Sequence, residues 1–496
     1  MNINQAKNYI KNSINIYLKK DEFGDYRIPV VRQRPIFLLG APGIGKTAIM
    51  EQIAEELNIA LVSYSMTHHT RQSALGLPFI KEKKYGDKEY NVSEYTMSEI
   101  IASIYETMEE SGVKEGILFL DEINCVSETL APSMLQFLQY KVFGKHSVPD
   151  GWVIVTAGNP PEYNKSVREF DVVTLDRLKV LNVEADYTTW KEYAISKSIH
   201  NSILSFLELK KEYFYHMETT AKGRFYVTAR GWEDLSEIIT MYEEDDLRVD
   251  EALVEQYIRS EIIVKEFCAY YDLYNKYKND YQLEKILEGK ITDDILNKAK
   301  KASFDEKLSL LGMLLDKVLS NMKDIVETSD YLKELMLPLK AVKTSDSVYD
   351  MLRVQKDARI KVLNNLEKAN AISKETKRMN KRIISFLDNA GKDLIAENIT
   401  DNVFLFVKNK FDLEVTQMKE SVQDVQSMLH NLFSFVEIAF ENGNEMLILV
   451  TELTVSKYST RFISAFGSED YHKYQQILMI SERQSDVREA IMSLDL

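Results

Sequence analysis

The feature that most constrains the fold is a glycine-rich junction between an apolar run and a helical pattern, RPIFLLGAPGIGKTAIMEQIAEEL, at residues 34–57. Residues 36–39 are all apolar, as in a buried strand, and the apolar residues after Thr47 recur at helical spacing. Gly40, Gly43 and Gly45 permit backbone conformations that direct successive N–H groups toward an anion. The junction therefore predicts a strand, a phosphate-binding loop and a helix. A chance glycine-rich turn is the alternative.

The loop matches the pattern G-x-x-x-x-G-K-[ST] without a mismatch. Lys46 can reach the β- and γ-phosphates of a nucleotide, the Thr47 hydroxyl can ligate Mg²⁺, and the positive end of the following helix favours an anion. The loop therefore predicts a nucleoside triphosphate, ATP or GTP, bound together with Mg²⁺. The predicted nucleotide contacts in the loop are Gly40, Ala41, Pro42, Gly43, Ile44, Gly45, Lys46, Thr47 and Ala48.

The first 185 residues alternate strand-like runs with helical patterns, which predicts a parallel sheet with helices on its faces. The strand-like runs lie at residues 36–39, 60–64, 117–120, 152–156 and 179–183. From Tyr187 onward strand signals nearly vanish and the pattern predicts helices. One proline, Pro338, follows residue 185, and its surroundings, LMLPLKAVKTSDS, predict a hinge or a boundary.

Two further strand-like runs end in polar side chains. GILFLDEIN ends in Asp121 and Glu122, and a buried strand rarely ends in two carboxylates unless a cation is near. Asp121 is suited to hold Mg²⁺, and Glu122 to orient and deprotonate the attacking water. The next strand, WVIVTAGNP, ends at Asn159, whose amide can contact the γ-phosphate or the water; an Asn that starts a turn is the alternative.

Two arginines follow these motifs along the chain. Arg177 precedes the last strand-like run in VVTLDRLKVLNV, and Arg230 stands at the start of a helix in VTARGWEDLSEII. Isolated arginines are usually solvated surface residues. Their order after the other motifs makes them candidates for the nucleotide site.

Charge and cysteine content limit the classes of function. The formal charge of −15 over 496 residues argues against a generally basic nucleic-acid binder. The only cysteines, Cys125 and Cys268, lie far apart with no nearby Cys/His spacing, so we predict neither a disulfide framework nor a zinc site. The amino terminus has no signal-peptide core, and no apolar run is long enough to span a membrane. These features predict a cytoplasmic protein with no membrane span.

The series GAPGIGKT, LFLDEIN, TAGNP, LDRL and TARGWEDL, in this order, resembles an AAA+ ATPase. More narrowly, it resembles the MoxR-type, dynein-related branch, whose members commonly work with partners that carry a von Willebrand factor A domain. TRQSALGLPF at residues 70–79 and FLQYKVFGKHSVPDGW at residues 137–152, where that branch has a hairpin, support the narrower match. The resemblance covers about residues 1–270.

The resemblance implies roles for the residues that match the family motifs. Lys46 and Thr47 become nucleotide and magnesium contacts, and Asp121 the magnesium carboxylate. The remaining roles are Glu122 as catalytic base, Asn159 as sensor 1, Arg177 as the arginine finger offered to a neighbouring subunit, and Arg230 as sensor 2 on a helical lid. LDRL and TAR differ from the more usual family patterns, and Arg168 is a rival for the finger.

The resemblance and the patterns together predict an α/β fold with a P-loop AAA+ core, in which helices flank a parallel sheet, an α-helical lid and a largely α-helical C-terminal domain. The predicted division is an N-terminal helical segment at 1–34, the nucleotide-binding core at 35–185, the lid at 186–275 and the C-terminal domain at 276–496. The implied function is that of a homo-oligomeric, hexameric ring that hydrolyses ATP with Mg²⁺ to remodel or activate a client protein, in the manner of a chaperone.

Three features outside the motifs leave alternatives open. Residues 353–382 are strongly basic and could contact nucleic acid, an acidic protein or only solvent. Aromatic residues from Phe267 to Tyr281 recur three or four apart and predict either packing in the lid or stacking on bases. The apolar segments around residues 432–440 and 446–453 predict packing against other helices or a docking surface. A nucleic-acid motor or loader and a low-turnover nucleotide switch are therefore the alternative functions.

Overall fold

The computed structural model describes residues 1–68, 74, 76–163, 167–220, 223–345, 347–369, 372–397, 399, 401–440 and 444–477. These residues form two compact units. The first contains residues 1–189 and 356–384, and the second contains residues 190–355 and the described residues from 385 onward. The four-part division predicted from the sequence stays a proposal.

Strands belong mainly to the first unit and helices dominate the second. The strands are β1 (Ile36–Gly40), β2 (Ala60–Ser65), β3 (Pro78–Tyr85), β4 (Lys88–Tyr95), β5 (Gly116–Asp121), β6 (Val142–Phe143), β7 (His146–Ser147), β8 (Trp152–Gly158), β9 (Lys179–Val183), β10 (His216–Thr220) and β11 (Gly223–Val227). The helices are α1 (Ile3–Tyr17), α2 (Lys46–Leu57), α3 (Glu99–Ser111), α4 (Ala131–Tyr140), α5 (Val172–Leu175), α6 (Tyr187–Ser196), α7 (Asn201–Leu209), α8 (Ala229–Glu244), α9 (Glu251–Val254), α10 (Glu261–Tyr281), α11 (Leu283–Leu287), α12 (Asp293–Lys301), α13 (Phe304–Lys343), α14 (Val348–Lys368), α15 (Lys374–Ala396), α16 (Val403–Phe440), α17 (Asn444–Val455) and α18 (Lys457–Phe466).

A five-stranded parallel sheet with the order β2-β5-β8-β1-β9 forms the centre of the first unit. All five strands coincide with the predicted runs, so the predicted fold class is confirmed. The central strands β5 and β8 are buried along almost their whole length, whereas the edge strands β2 and β9 expose some residues. Because the strands are parallel, their carboxyl ends lie at one edge of the sheet.

Helices cover this sheet and exclude water from it. Side chains of β2, β5 and β8 pack with those of α3 and α4 in one apolar core. This core contains Leu118 and Leu120 from β5, Ile104 from α3 and Phe137 from α4. The amino-terminal helix α1 packs against α2 and β9 through its buried Ile10 and Ile14. The sheet is therefore held rigid on its faces, which gives the loops at its carboxyl edge a fixed base.

The structure contains hairpins that the apolar pattern missed. Strands β3 and β4 pair antiparallel between β2 and α3, and their residues are mostly exposed. Strands β10 and β11 form a second hairpin, so the expectation that strands nearly vanish after Tyr187 is wrong at residues 216–227. Both hairpins carry polar residues on both faces, and their sequences therefore lack the apolar alternation that marks a half-buried strand. The short pair β6 and β7 lies in the stretch where the resemblance implies a hairpin.

A distant segment completes the first unit. The backbone N–H of Leu61, on the outer edge of strand β2, donates to the carbonyl oxygen of Ala369 at 3.2 Å. Ala369 is fully buried in the core of the sheet, between α14 and α15. The residue that follows α14 thus pairs with one backbone group on the open edge of β2. The basic stretch 353–382 lies mostly on this segment.

Long helices form the second unit, with α13 and α16 packed against each other. Pro338 lies inside α13 and does not interrupt it, but α13 ends at Lys343, within the stretch LMLPLKAVKTSDS for which the sequence predicts a hinge or a boundary. Thr344 and Ser345 are no longer helical, and α14 begins at Val348. Within the described ranges, no helix combines the length and the apolar character that crossing a bilayer requires.

The apolar segments near the end of the described chain are packed inside this unit. Leu432, Phe433, Leu449 and Leu453 belong to one large helical core, as predicted. Phe267 and Tyr274 on α10 are also buried, and the Phe267 ring contacts those of Phe206 and Trp232. The aromatic stripe therefore serves the packing of helices, as the packing alternative predicts.

Candidate functional site

The loop between β1 and α2 has the backbone geometry of an anion cradle. Gly43 and Gly45 adopt φ values of +74° and +94°, a region in which other residues are strained. A Cβ atom at Gly40 would lie 2.6 Å from the carbonyl oxygen of Val183 in the neighbouring strand β9. Gly43 and Gly45 are thus required by the backbone conformation of the loop. Gly40 is required by close packing where β1 ends.

Lys46, the first residue of α2, has a buried side chain whose ammonium is surrounded by acceptors. Its Nζ donates to the carbonyl oxygens of Gly40 at 2.6 Å and Ala41 at 2.8 Å, and to Oδ1 of Asn159 at 2.8 Å. An ammonium has three donors. A phosphate oxygen can therefore engage Lys46 by replacing one of these acceptors, without movement of the buried part of the side chain.

Thr47 and Asp121 bring a hydroxyl and a carboxylate together at the carboxyl edge of the sheet. Thr47 Oγ1 donates to Asp121 Oδ2 at 3.0 Å, and the backbone N–H of Glu122 donates to Asp121 Oδ1 at 2.9 Å. Such oxygens are the ligands that Mg²⁺ prefers, with the remainder supplied by phosphate and water. The described residues contain no group of three or more His, Cys, Asp or Glu able to hold a metal ion by themselves. The pair therefore fits a magnesium ion that arrives with a nucleotide.

Glu122 follows Asp121 in an unusual backbone conformation. Its φ of 54° and ψ of 36° lie in the left-handed region, which costs a non-glycine residue about 1–2 kcal/mol. Its carboxylate accepts a hydrogen bond from Ser65 Oγ at 3.4 Å, at the end of β2. Strain of this kind, held by surrounding structure, is typical of functional sites. The turn separates the two carboxylates, so that the Asp121 carboxylate contacts Thr47 and the Glu122 carboxylate contacts Ser65.

Asn159 lies just beyond the end of β8 and is held from both sides. Its side chain accepts from Lys46, and its backbone carbonyl accepts from Asn124 Nδ2 at 2.8 Å. A Cβ atom at Gly158 would lie 2.4 Å from Asn124 Oδ1, so glycine is needed for this contact. Asn124 thus fixes the position of the residue predicted to be sensor 1.

The two rival finger arginines differ in their contacts. Arg168 pairs with the Glu128 carboxylate, and its backbone N–H donates to the Asn124 carbonyl at 2.9 Å. Arg177 is exposed after α5, and within the described part of the first unit its side chain makes no hydrogen bond or ion pair. Its exposure agrees with the role implied by the resemblance, which stays a prediction. Arg177 is the better candidate on this ground.

Arg230 lies in the second unit, as the second residue of α8. It is exposed, and Thr228 caps the helix next to it by accepting from the backbone N–H of Gly231 at 3.2 Å. Its role in the site stays a prediction. In the stretch 70–79, which supports the narrower resemblance, residues 70–73 and 75 lie outside the described residues.

Sequence reasoning missed two residues of the site, Ser65 and Asn124. Ser65 ends β2, and the rule that parallel strands end at one edge of the sheet would have identified it as a site residue. Asn124 lies in a short turn after β5, where no sequence signal identifies its long-range contact with Asn159. Burial and the charges of Glu122 and Asp121 raise the pKa of the nearby Cys125 thiol, which disfavours its reactive thiolate form.

Comparison with known families agrees with this geometry. Residues 36–174 match the model of the family described as ATPase family associated with various cellular activities (AAA). The match, the parallel sheet and the phosphate loop define an AAA-type α/β core in this part of the chain. No curated protein matches the chain.

Among solved structures, the chain is similar to NtrX from Brucella abortus. The structure of NtrX in complex with ADP is 16% identical, with a TM-score of 0.24 and with 42% of this chain and 42% of that chain covered. The complex of NtrX with ATP is 15% identical, with a TM-score of 0.24 and coverage of 42% and 41%. The chain therefore spans less than half the length of the solved structures that it matches.

Proposed function

We propose that this protein is a MoxR-type AAA+ ATPase that assembles into a hexameric ring and hydrolyses ATP with Mg²⁺ to remodel or activate a partner protein. One observation supports the proposal above all. The contacts of Lys46 with Asn159 and of Thr47 with Asp121 bring the phosphate loop and the ends of two other strands together, with Glu122 beside them. A nucleotide-binding and hydrolysing site needs these groups within one small volume.

In this proposal, different residues bind the phosphates, hold the magnesium ion and activate the water. Glycines of the loop direct backbone N–H groups at the phosphates, and Lys46 adds a positive charge between the loop and β8. Thr47 and Asp121 would hold a magnesium ion, which when bound neutralises charge on the β- and γ-phosphates. Glu122 accepts the proton of the attacking water, and the Asn159 amide orients that water or the γ-phosphate. Ser65 holds the Glu122 carboxylate in place for this transfer.

Assembly supplies the remaining groups in this proposal. Arg177 is exposed on the first unit and reaches into the site of the next subunit as an arginine finger. Arg230, at the start of α8, acts as sensor 2 from the lid. The partner has a von Willebrand factor A domain, as in the MoxR branch, and the protein works in the cytoplasm, which agrees with two cysteines that form no disulfide.

The test is the Glu122→Gln variant. An amide can orient water but cannot accept its proton, so this variant should bind ATP like the parent and release phosphate at least about 100-fold more slowly. Binding is measured by titration calorimetry with ATP and Mg²⁺, and hydrolysis by phosphate release. Held with ATP, the same variant is also the form in which to look for the partner protein.

Glu109→Gln is the matched control, because Glu109 is an exposed residue of α3 in the same unit. It should leave both binding and hydrolysis unchanged. If Glu122→Gln hydrolyses ATP at the parental rate, Glu122 is not the base and the proposed mechanism fails. If the parent itself binds no nucleotide, the assignment of the loop is wrong.

A further inference from the structure

The second unit contains a cleft of about 720 Å³ that no part of the proposed ATPase mechanism uses. Residues of α6, α7, α8, α10, α13 and α17 line the cleft. All of these lining residues belong to the second unit. This volume is within the range of sites that bind small organic molecules. Most of its lining is apolar, including Leu204, Leu308 and Leu311.

One wall of the cleft contains a buried donor that lacks an acceptor. Asn201, the first residue of α7, is only 8% exposed, and its Nδ2 has no hydrogen-bond partner among the described residues. The amide packs on α13 at Gly312, where a Cβ atom would lie 2.8 Å from Nδ2. A buried N–H group without a partner is unfavourable, so a ligand oxygen at this place would be stabilising.

Asp316 lies one helical turn after Gly312 and so faces the same side of α13. Its carboxylate lines the cleft and is accessible from it, and the described residues offer it no hydrogen bond or ion pair. Burial raises the pKa of Asp316, while the charges of His200, Lys278 and Lys317 oppose that shift. Asp316 is exposed at the cleft, and a carboxylate beside apolar walls with no partner among the described residues favours a cationic ligand.

Most cations of the cleft are already engaged by protein groups. Lys191 pairs with Glu208 at 2.9 Å and Glu452 at 2.5 Å, and Lys278 pairs with Glu243 at 2.9 Å. Lys323 donates to Ser198 Oγ at 3.3 Å. Lys317 also lines the cleft, but it is exposed and leaves α13 in a direction about 100° from that of Asp316. Apart from the exposed Glu284 and Lys317, the charged or amide groups of the lining that lack a partner among the described residues are the Asp316 carboxylate and the Asn201 N–H, and these two are adjacent on the cleft wall.

We propose that this cleft binds an organic amine with an apolar body, whose ammonium pairs with Asp316 and whose oxygen accepts a hydrogen bond from Asn201. Residues one helical turn apart are about 5–6 Å apart, so both contacts are within reach of one small molecule. The apolar body lies on the leucines of α7 and α13. The site is separate in its residues from the phosphate loop, and it does not require that the ATPase proposal be right.

The test uses three matched probes that share an amide and a butyl chain. They are N-(5-aminopentyl)pentanamide, which ends in an ammonium, N-pentylpentanamide, which ends in a methyl, and 6-(pentanoylamino)hexanoate, which ends in a carboxylate. Titration calorimetry on the full chain at low salt gives the affinities. The ammonium probe should bind at least about 10-fold more tightly than the neutral probe, and the carboxylate probe more weakly than either.

Variants assign the contacts. Asp316→Asn should remove the preference for the ammonium and leave the affinity of the neutral probe unchanged, while Asn201→Ala should weaken the ammonium and neutral probes, which share the carbonyl, by a similar factor. Asp324→Asn, an exposed position on α13 that does not line the cleft, is the control and should change nothing. Thermal unfolding of each variant checks its fold, because Asn201→Ala also removes the Oδ1 atom that accepts a hydrogen bond from Ser205 Oγ at 3.5 Å.

Equal affinities of the ammonium and neutral probes for the parent would overturn the proposal, as would a preference that survives Asp316→Asn. No measurable binding of any probe would overturn it as well. Tighter binding of the carboxylate probe would show that Lys317 is the anchor and that the ligand is an anion.

Discussion

The ammonium of Lys46 lies 2.8 Å from the amide oxygen of Asn159, although the two residues belong to different strand-to-loop junctions. Strands β1 and β8 are neighbours in the sheet, with Ile36 opposite Val155, and this pairing brings their carboxyl ends together. Because of this hydrogen bond, a change in the charge or position of one side chain alters the position of the other. It therefore connects phosphate binding at Lys46 with positioning by Asn159.

Lys46→Ala should abolish ATP binding under conditions in which the parent is saturated. The change removes the positive charge that neutralises the phosphates, and hydrogen bonds to charged groups contribute about 1.5–3 kcal/mol each, so a loss of at least about 100-fold is expected. Titration calorimetry with ATP and Mg²⁺ measures it. Lys114→Ala, at an exposed position of the same unit, is the control and should bind normally. Parental affinity in Lys46→Ala would refute the cradle assignment.

Asn159→Ala and Asn159→Asp should have different effects. The alanine variant should keep ATP binding and lose about 100-fold in hydrolysis, as expected when one preorganised polar contact is removed. The aspartate variant should also bind ATP more weakly, because its carboxylate holds the Lys46 ammonium and repels the γ-phosphate. Parallel measurements of affinity and phosphate release separate the two. Identical behaviour of both variants would show that charge at this position does not matter.

Arg177→Ala should bind ATP nearly normally and hydrolyse it very slowly, since arginine fingers contribute about 10³–10⁵ in rate. Mixing Arg177→Ala subunits with Lys46→Ala subunits should restore part of the activity, because some interfaces then pair an intact loop with an intact finger. The measurement is phosphate release at several mixing ratios. No recovery would indicate a finger that acts within its own subunit. Recovery with Arg168→Ala in place of Arg177→Ala would assign the role to Arg168.

Glu243 in α8 should make stability depend on pH at the acid end. Burial raises the pKa of its carboxyl, but hydrogen bonds and charge from His200, with Lys278 and Tyr271, outweigh burial and lower the pKa to about 2. The unfolded chain therefore binds more protons between pH 2 and the ordinary value of 4.5, so this contribution is present above pH 4.5 and is lost as the pH falls toward 2.

The Glu243→Gln variant tests this sign. At pH 7 it should unfold at lower urea concentration than the parent, with a difference of up to about 3 kcal/mol that shrinks below pH 4. Glu244→Gln, at the exposed neighbouring position, is the control. A difference that stays constant from pH 7 to pH 3 would mean that packing, and not the charge of Glu243, is responsible.

The sequence by itself determined the central sheet and the phosphate loop. The five runs that form β1, β2, β5, β8 and β9 are continuous apolar segments, and only burial between layers of helices stabilises such segments. The glycines of the loop, followed by Lys46 and Thr47, permit few other conformations or ligands. These features are local, so each can be predicted from a short window of residues.

Only the tertiary structure decided which residues far apart in the sequence contact one another. The contact between Asn124 and Asn159, the Ala369 carbonyl on the edge of β2, and the cleft that joins Asn201 with Asp316 each unite segments that are far apart in the chain. Pro338 shows the same limit, because packing of α13 in the helical core keeps a helix intact through a residue that usually ends one. Local patterns specify elements, whereas the free energy that selects among their arrangements comes from burial summed over the whole unit.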